Sequence, residues 1–486
     1  MTDTTATVAE QGPDRTGPGS AGSPAAPSAP GLTLAALGVA GLVVSLQQTL
    51  VLPLLPRLMR TFDISVSSVA WVFTATLLAG AVATPLLSRF GDMYGKKKMI
   101  TLTMALLVVG SVVCALSDSL GVMIAGRALQ GAAATVIPLA IGMIRDTFPR
   151  EKVTSAIGVV SATLGVGGAL GMLVTGVVAD RTESHHPVFW ISAAMAAVGL
   201  AFVVLFTREA GKRTGGRPDL LGAATLAAWL VMLLLAISQG NAWGWTDRRI
   251  IGLFIGIAIL LPFWVFLQLR SREPLVQLRL LAGPKSLQAN LASLLLGFAM
   301  FAGFTLVSNF IQTPEDQVGY GLSGSVLDVG LYMLPSTVTM LLFSALAGRF
   351  EARLGAAWTL AVGSFIGGLS YVWLALNHGS AADVMIFSGI QGIGFGIAYA
   401  ALGTLAVQHV PLEQSGIASG INTLVRTVGG SVASAATASI LTADVIRNTS
   451  VPTVDAYVLC FVIAAVTAGL GAVTAASHGL RYRASA

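Results

Sequence analysis

Four places in this sequence set polar or ionisable side chains where chemistry is possible. Gln47 and Gln48 sit together in the apolar run "LAALGVAGLVVSLQQTLVLPLLP". Arg127 and Gln130 stand three residues apart in a second apolar run, so one helical face carries both. The loop "GDMYGKKKM", residues 91–99, combines Gly91, Asp92, Gly95, Lys96 and Lys97. Asp328, in "GSVLDVGLYMLP", is a carboxylate placed about one turn inside an apolar stretch. None of these forms a catalytic set. The five histidines fall in loops or at the ends of apolar runs, and "GLSG", residues 321–324, offers a serine without a base. Neither a Gly-x-x-x-x-Gly-Lys-Ser/Thr phosphate loop nor a His-Glu-x-x-His metal pair occurs. Cys114 and Cys460 both lie in apolar runs and supply no zinc spacing. The expectation is therefore no enzyme, no cofactor and no metal. Isolated polar groups in apolar surroundings bind ligands, relay protons or tie helices together.

The elements that must position these groups are membrane helices. The chain has 486 residues, is 55% hydrophobic and only 10% charged, and has a mean hydropathy of +0.80. Repeated apolar runs of 18 or more residues mark a membrane protein. Fourteen helices are expected, at about 33–55, 67–87, 99–117, 121–143, 154–179, 188–207, 219–239, 250–270, 287–310, 325–346, 358–376, 384–409, 416–441 and 456–476. The net charge of +6 does not imply a nucleic-acid partner, because the basic residues occupy short loops between spans. They concentrate in alternate loops, which predicts cytoplasmic N- and C-termini. Trp243 and Trp245 suit the outer interface. The segment up to about Pro30 is rich in Pro, Gly, Ala, Ser and Thr and reads as a disordered cytoplasmic tail.

The predicted organisation is a tail over 1–32, six helices over 33–207, two linker helices over 208–285, six helices over 286–476 and a tail over 477–486. "SRFGDMYGKKK" after helix 2 has a weaker echo, "AGRFEARLG", after helix 10. Such echoes fit a transporter built from two related bundles, with its binding cavity between them near the membrane midplane. Polar residues expected on facing helices are Gln47, Gln48, Trp71, Gln130, Asn309, Gln312, Asn422 and Arg426. With so few fixed charges, such a cavity suits a bulky amphipathic molecule.

The order of motifs resembles the major facilitator superfamily, and within it the fourteen-helix drug:proton antiporters. Gly91-Asp92-x-x-Gly95-Lys96-Lys97 is similar to that superfamily's loop between helices 2 and 3. "RALQGAAA", from Arg127, resembles its Arg-x-x-Gln-Gly pattern on helix 4. "LGVGGALGMLVTG", with Gly165, Gly167, Gly168 and Gly171, resembles the glycine-rich antiporter stretch of helix 5, but has no proline after its paired glycines. "INTLVRTVGG" on helix 13 is similar as well. The resemblance implies an all-α fold of two six-helix bundles plus two central helices, in the cytoplasmic membrane. It implies efflux of a drug, an antibiotic or a secondary metabolite, with protons as the coupling ion. Asp92 would then belong to a cytoplasmic gate, and helix 5 would be a hinge facing the other bundle. A monomer in lipid is expected.

Helix 1 departs from that resemblance. The family's Leu-Asp-x-Thr pattern has Gln47 at the aspartate position and Leu52 at a later asparagine position, while Thr49 and Leu55-Pro56 match. Gln47 donates and accepts hydrogen bonds but does not titrate. The proton-coupling candidates that remain are Arg127, Asp328 and Asp92. Each has a plainer reading: Arg127 reaching the interface, Asp328 held in a first helical turn, and Asp92 capping a hairpin. The glutamines are equally readable as links between helices. Competing functions are a transporter-fold sensor, a lipid flippase and, from "GLSG", an intramembrane protease.

Overall fold

The computed structural model describes residues 30–482 except 52–53, 65, 180, 183, 210, 212, 214, 216–218, 272–273, 277, 279–282, 409, 412–413 and 447–450. Most of the expected N-terminal tail, Leu52, and the last four residues lie outside the described residues. Among the described residues, fourteen helices are long and apolar enough to cross a membrane. They are α1 (Pro30–Thr49), α2 (Val66–Tyr94), α3 (Lys96–Ala115), α4 (Leu120–Thr147), α5 (Arg150–Ala179), α6 (His186–Phe206), α7 (Leu220–Trp243) and α8 (Arg248–Arg270). After these come α9 (Pro284–Gln312), α10 (Leu327–Leu354), α11 (Ala356–Leu376), α12 (Ala381–Gln408), α13 (Ser415–Ala443) and α14 (Val454–Tyr482). No strand is formed among the described residues. Helices dominate because a chain in lipid must satisfy its own backbone groups.

Prolines explain the irregular places. Pro138 cannot donate to the carbonyl four residues back, and α4 tightens to a 3-10 turn over Ala132–Thr135 just before it. Pro335 interrupts α10 at Met333 in the same way. Several ends differ from expectation. α1 stops at Thr49 rather than near residue 55. α2 continues to Tyr94 rather than stopping near residue 87, so Gly91 and Asp92 lie in its last turn and not in a loop. α10 continues to Leu354 rather than stopping near residue 346, which draws Glu351 into a helix. α14 continues to Tyr482, so residues 477–482 are helical rather than tail.

Two apolar bodies result. One joins α9 to α14 through residues such as Leu296, Phe310, Leu360, Phe387 and Phe461. The other is built from α1 to α6, with Leu37, Leu107 and Val136 in one core and Leu46, Val72 and Phe189 in a second. α7 and α8 lie outside both. Leu226 and Leu230 of α7 and Trp264 of α8 pack against Ala81 of α2 and Leu424 of α13. α8 leaves Ile251, Phe254, Ile255, Ile259 and Phe266 exposed, an apolar face suited to lipid.

Candidate functional site

The junction of α2 and α3, where Gly95 alone separates the two helices, builds a charged cluster at the end of the molecule marked by Lys96. Gly95 turns the chain with φ +121°, a conformation that disfavours any side chain. The turn brings Lys96 Nζ 3.2 Å from Asp92 Oδ1 and 2.7 Å from Asp146 Oδ2 at the end of α4. Asp92 also crosses to the second body. Its Oδ1 accepts from Gly416 N at 3.2 Å and its Oδ2 from Ile417 N at 3.0 Å. These two N–H groups belong to the first turn of α13, which has no intrahelical acceptors for them and favours an anion. Arg145 Nη2 makes a parallel crossing to Val410 O at 3.0 Å. Lys97 Nζ instead donates to Thr207 O (2.6 Å) and Val204 O (3.0 Å) at the end of α6. Gly91 lets α2 meet α4, since a Cβ there would lie 2.3 Å from Leu139 Cδ2.

A second cluster lies inside the first body, around Arg127. This guanidinium is fully buried. Its Nε donates to Val72 O of α2 at 3.2 Å, and its Nη1 to Gln130 Oε1 at 2.8 Å and Gln47 O at 3.4 Å. Gln47 O is available because α1 stops at Thr49, and the last four carbonyls of a helix lack internal donors. The bonds continue from Gln130 Nε2 to Ser111 Oγ at 2.9 Å, with Ser192 Oγ 3.0 Å beyond, and the Ser192 hydroxyl donates to Gln47 Oε1. Five helices thus contribute to one polar knot. Gly110 and Gly126 allow it, because a Cβ on Gly110 would stand 2.6 Å from Gly126 O. Gln48, a helical step of 100° away, is half-buried and outside the knot. Trp71 is half-buried next to Val72 in sequence.

The second body carries its own buried arginine. Arg426 lies with Cζ 4.4 Å from the Tyr399 ring centroid, a cation–π contact. Asn422, one turn away, accepts from Ser293 Oγ through its backbone and side-chain oxygens at 2.9 and 3.2 Å. Between the bodies is a cavity with room for little more than a water molecule, lined by Ile137, Ser161, Tyr399, Asn422 and Arg426 among others. Asn309 and Gln312 do not join it. They are exposed in the last turn of α9, where Gln312 Nε2 donates to Ser308 O at 2.9 Å. Both were expected near the midplane; α9 runs on to Gln312, which carries them to its end.

The remaining expected residues fall elsewhere. Asp328 forms a capping box with Ser325, its Oδ2 accepting from Ser325 N and Oγ at 2.7 Å each. Gly167 and Gly171 of α5 face α1 and not the second body. A Cβ on either would come within 2.5 Å of Leu42 O or Leu46 O. Gly168 O accepts from Thr49 Oγ1 at 2.7 Å, and Gly165 lies on the same helix. α5 meets the second body through other residues: Gly158 against Ser344, and Ser155 against Gly348. Beside them Thr154 Oγ1 donates to Glu351 Oε2 at 3.0 Å. Sequence pattern does not single out Ser111, Ser192, Asp146 or Glu351. The two serines look like any small residue of a packed helix. The two acids lie beyond the expected span ends at 143 and 346, because apolar periodicity fades before the helices end.

Twelve spanning helices in two bodies, two more beside them, polar groups buried within each body and charges joining the bodies at one end together define a membrane transporter fold. The chain belongs to the Major Facilitator Superfamily, whose sequence profile matches residues 37–434. It is 27% identical over 415 residues to the multidrug resistance protein Stp of Mycobacterium tuberculosis, covering 85% of this chain and 76% of that protein. It is 26% identical over 407 residues to the tetracenomycin C resistance and export protein of Streptomyces glaucescens, covering 83% and 74%. Among solved structures, the human organic anion transporter MFSD10 superposes with a TM-score of 0.66 at 15% identity, over 92% of this chain and 99% of that one. The fold is therefore all-α, two six-helix bundles with α7 and α8 added.

Proposed function

We propose that this protein is a secondary active exporter of amphipathic drugs, antibiotics or a secondary metabolite, driven by proton antiport and working by alternating access. The observation that carries this reading is the Asp92 carboxylate, held by Lys96 on one bundle and by the first turn of α13 on the other. A buried ionisable group that bridges two bodies suits a gate that opens when its charge changes. The names of the related multidrug resistance and antibiotic export proteins support an export role. In this reading the Lys96 end faces the cytoplasm, both termini are inside the plasma membrane, and the protein acts as a monomer with the small substrate and protons as partners. Asp92 is the preferred coupling carboxylate, and Asp328 serves as a helix cap.

The test is dye uptake into everted membrane vesicles whose interior is made acidic, using both cationic and anionic amphipathic dyes. Wild type should accumulate at least one dye, and an uncoupler should abolish the accumulation. Uptake that ignores the pH gradient would remove proton antiport. Absence of movement for every dye would favour a sensor.

A further inference from the structure

The knot around Arg127 contains only donors at its open positions. Arg127 Nη2 and Gln47 Nε2 are both buried and both lack a hydrogen-bond partner. Gln47 is 3% exposed and Arg127 is 0% exposed. No salt bridge among the described residues includes Arg127. Its charge is fixed, because a guanidinium does not deprotonate in proteins. Backbone carbonyls of α1 and α2 and the C-terminal end of the α1 dipole offset part of that charge. They leave the rest of that charge, and the N–H groups of Arg127 Nη2 and Gln47 Nε2, unanswered. A buried charge without a counter-charge is costly. A neutral water would answer the N–H groups but not the charge; an anion answers both.

We infer that the cluster of Arg127 and Gln47 is an anion-binding site. Its ligand is either the acidic group of a carried substrate or a small inorganic anion such as chloride. The shared chemistry is a compact negative acceptor that takes Nη2 of the guanidinium and Nε2 of the amide together. Arg426 adds a second buried cation in the other bundle, whose contacts are the Tyr399 ring and a Thr423 hydroxyl. Each bundle thus buries an arginine that makes no ion pair with a carboxylate among the described residues. The substrate form of this inference rests on the transporter reading above; anion binding itself does not.

The test uses the purified full-length protein and equilibrium binding. One arm compares the thermal midpoint in sodium chloride and in sodium gluconate at equal ionic strength. The other measures binding of carboxyfluorescein and of its uncharged ester. Saturable stabilisation by chloride alone would assign an inorganic anion. Carboxyfluorescein binding tighter than the ester by about tenfold or more, and weakened by chloride, would assign the acidic group of an organic substrate. Gln47→Asp places a fixed carboxylate beside Arg127 and should remove both responses, with a midpoint in gluconate no lower than wild type. Wild-type protein indifferent to chloride and to the dye's charge would overturn the inference, as would a Gln47→Asp protein that keeps the anion response. Binding without transport would leave the site standing and remove the exporter reading.

Discussion

The Lys96 end and the Arg127 knot bury positive charge in opposite ways. Lys96 has two carboxylates at 3.2 and 2.7 Å, and one of them also holds the first turn of α13. Arg127 has two backbone carbonyls and an amide oxygen, and no carboxylate. The first arrangement is closed around its cation: the Lys96 ammonium meets two carboxylates, and Asp92 carries the contact from one bundle to the other. The second keeps a guanidinium nitrogen open. Where the protein completes its own charge balance it ties two bodies together. Where it leaves the balance incomplete it has kept a place for something else.

The sharpest way to break this contrast is Asp92→Asn, which leaves the α13 N-terminus without its anion. Losing one member of a buried charge pair costs on the order of 3–5 kcal/mol. The expected result is a lower thermal midpoint and loss of gradient-driven dye uptake. Stability close to wild type would mean that Asp146 alone balances Lys96. A smaller effect is expected at the other crossing between bundles. Thr154→Val keeps the shape of the side chain but removes the donor to Glu351, a loss of about 1–3 kcal/mol for a buried acceptor. An unchanged midpoint would show that Gly158 and Gly348 hold α5 to α10 by packing alone. Smallest is Asp328→Asn, which retains an oxygen for the capping box and should cost less than about 1 kcal/mol. Dye uptake should stay close to wild type, since a helix cap contributes to stability and carries no proton in this reading. Collapse of uptake in this variant would return Asp328 to the coupling role and leave Asp92 a purely structural tie.

Much of the architecture could be read before any coordinates. Apolar runs of spanning length place all fourteen helices, while only the resemblance of Gly91–Lys97 to a family motif points to the end where Asp92 meets α13. Gln47, Arg127 and Gln130 were singled out because polar groups are conspicuous in apolar runs, and the fold brings all three together. Asn309 and Gln312 were singled out for the same reason and are not brought in. Sequence spacing tells which residues are polar within a span, but not how far along the membrane axis a helix carries them. The glycines of α5 show a related limit. Their spacing announces close approach, yet only the packing reveals that Gly167 and Gly171 approach α1.

Hydropathy and residue type were enough to establish a membrane protein of fourteen helices, with few charges to spare and two adjacent glutamines inside its first span. Those conclusions follow from local quantities: hydropathy over a span, and residue type at a position. The tertiary structure decided the partners. Asp146 reaches Lys96 across 50 residues, Ile417 reaches Asp92 across 325, and Ser192 reaches Gln47 across 145. Such pairings depend on the rotation and depth of each helix against its neighbours. Those are set by side-chain packing over the whole bundle, which no local pattern in the chain records.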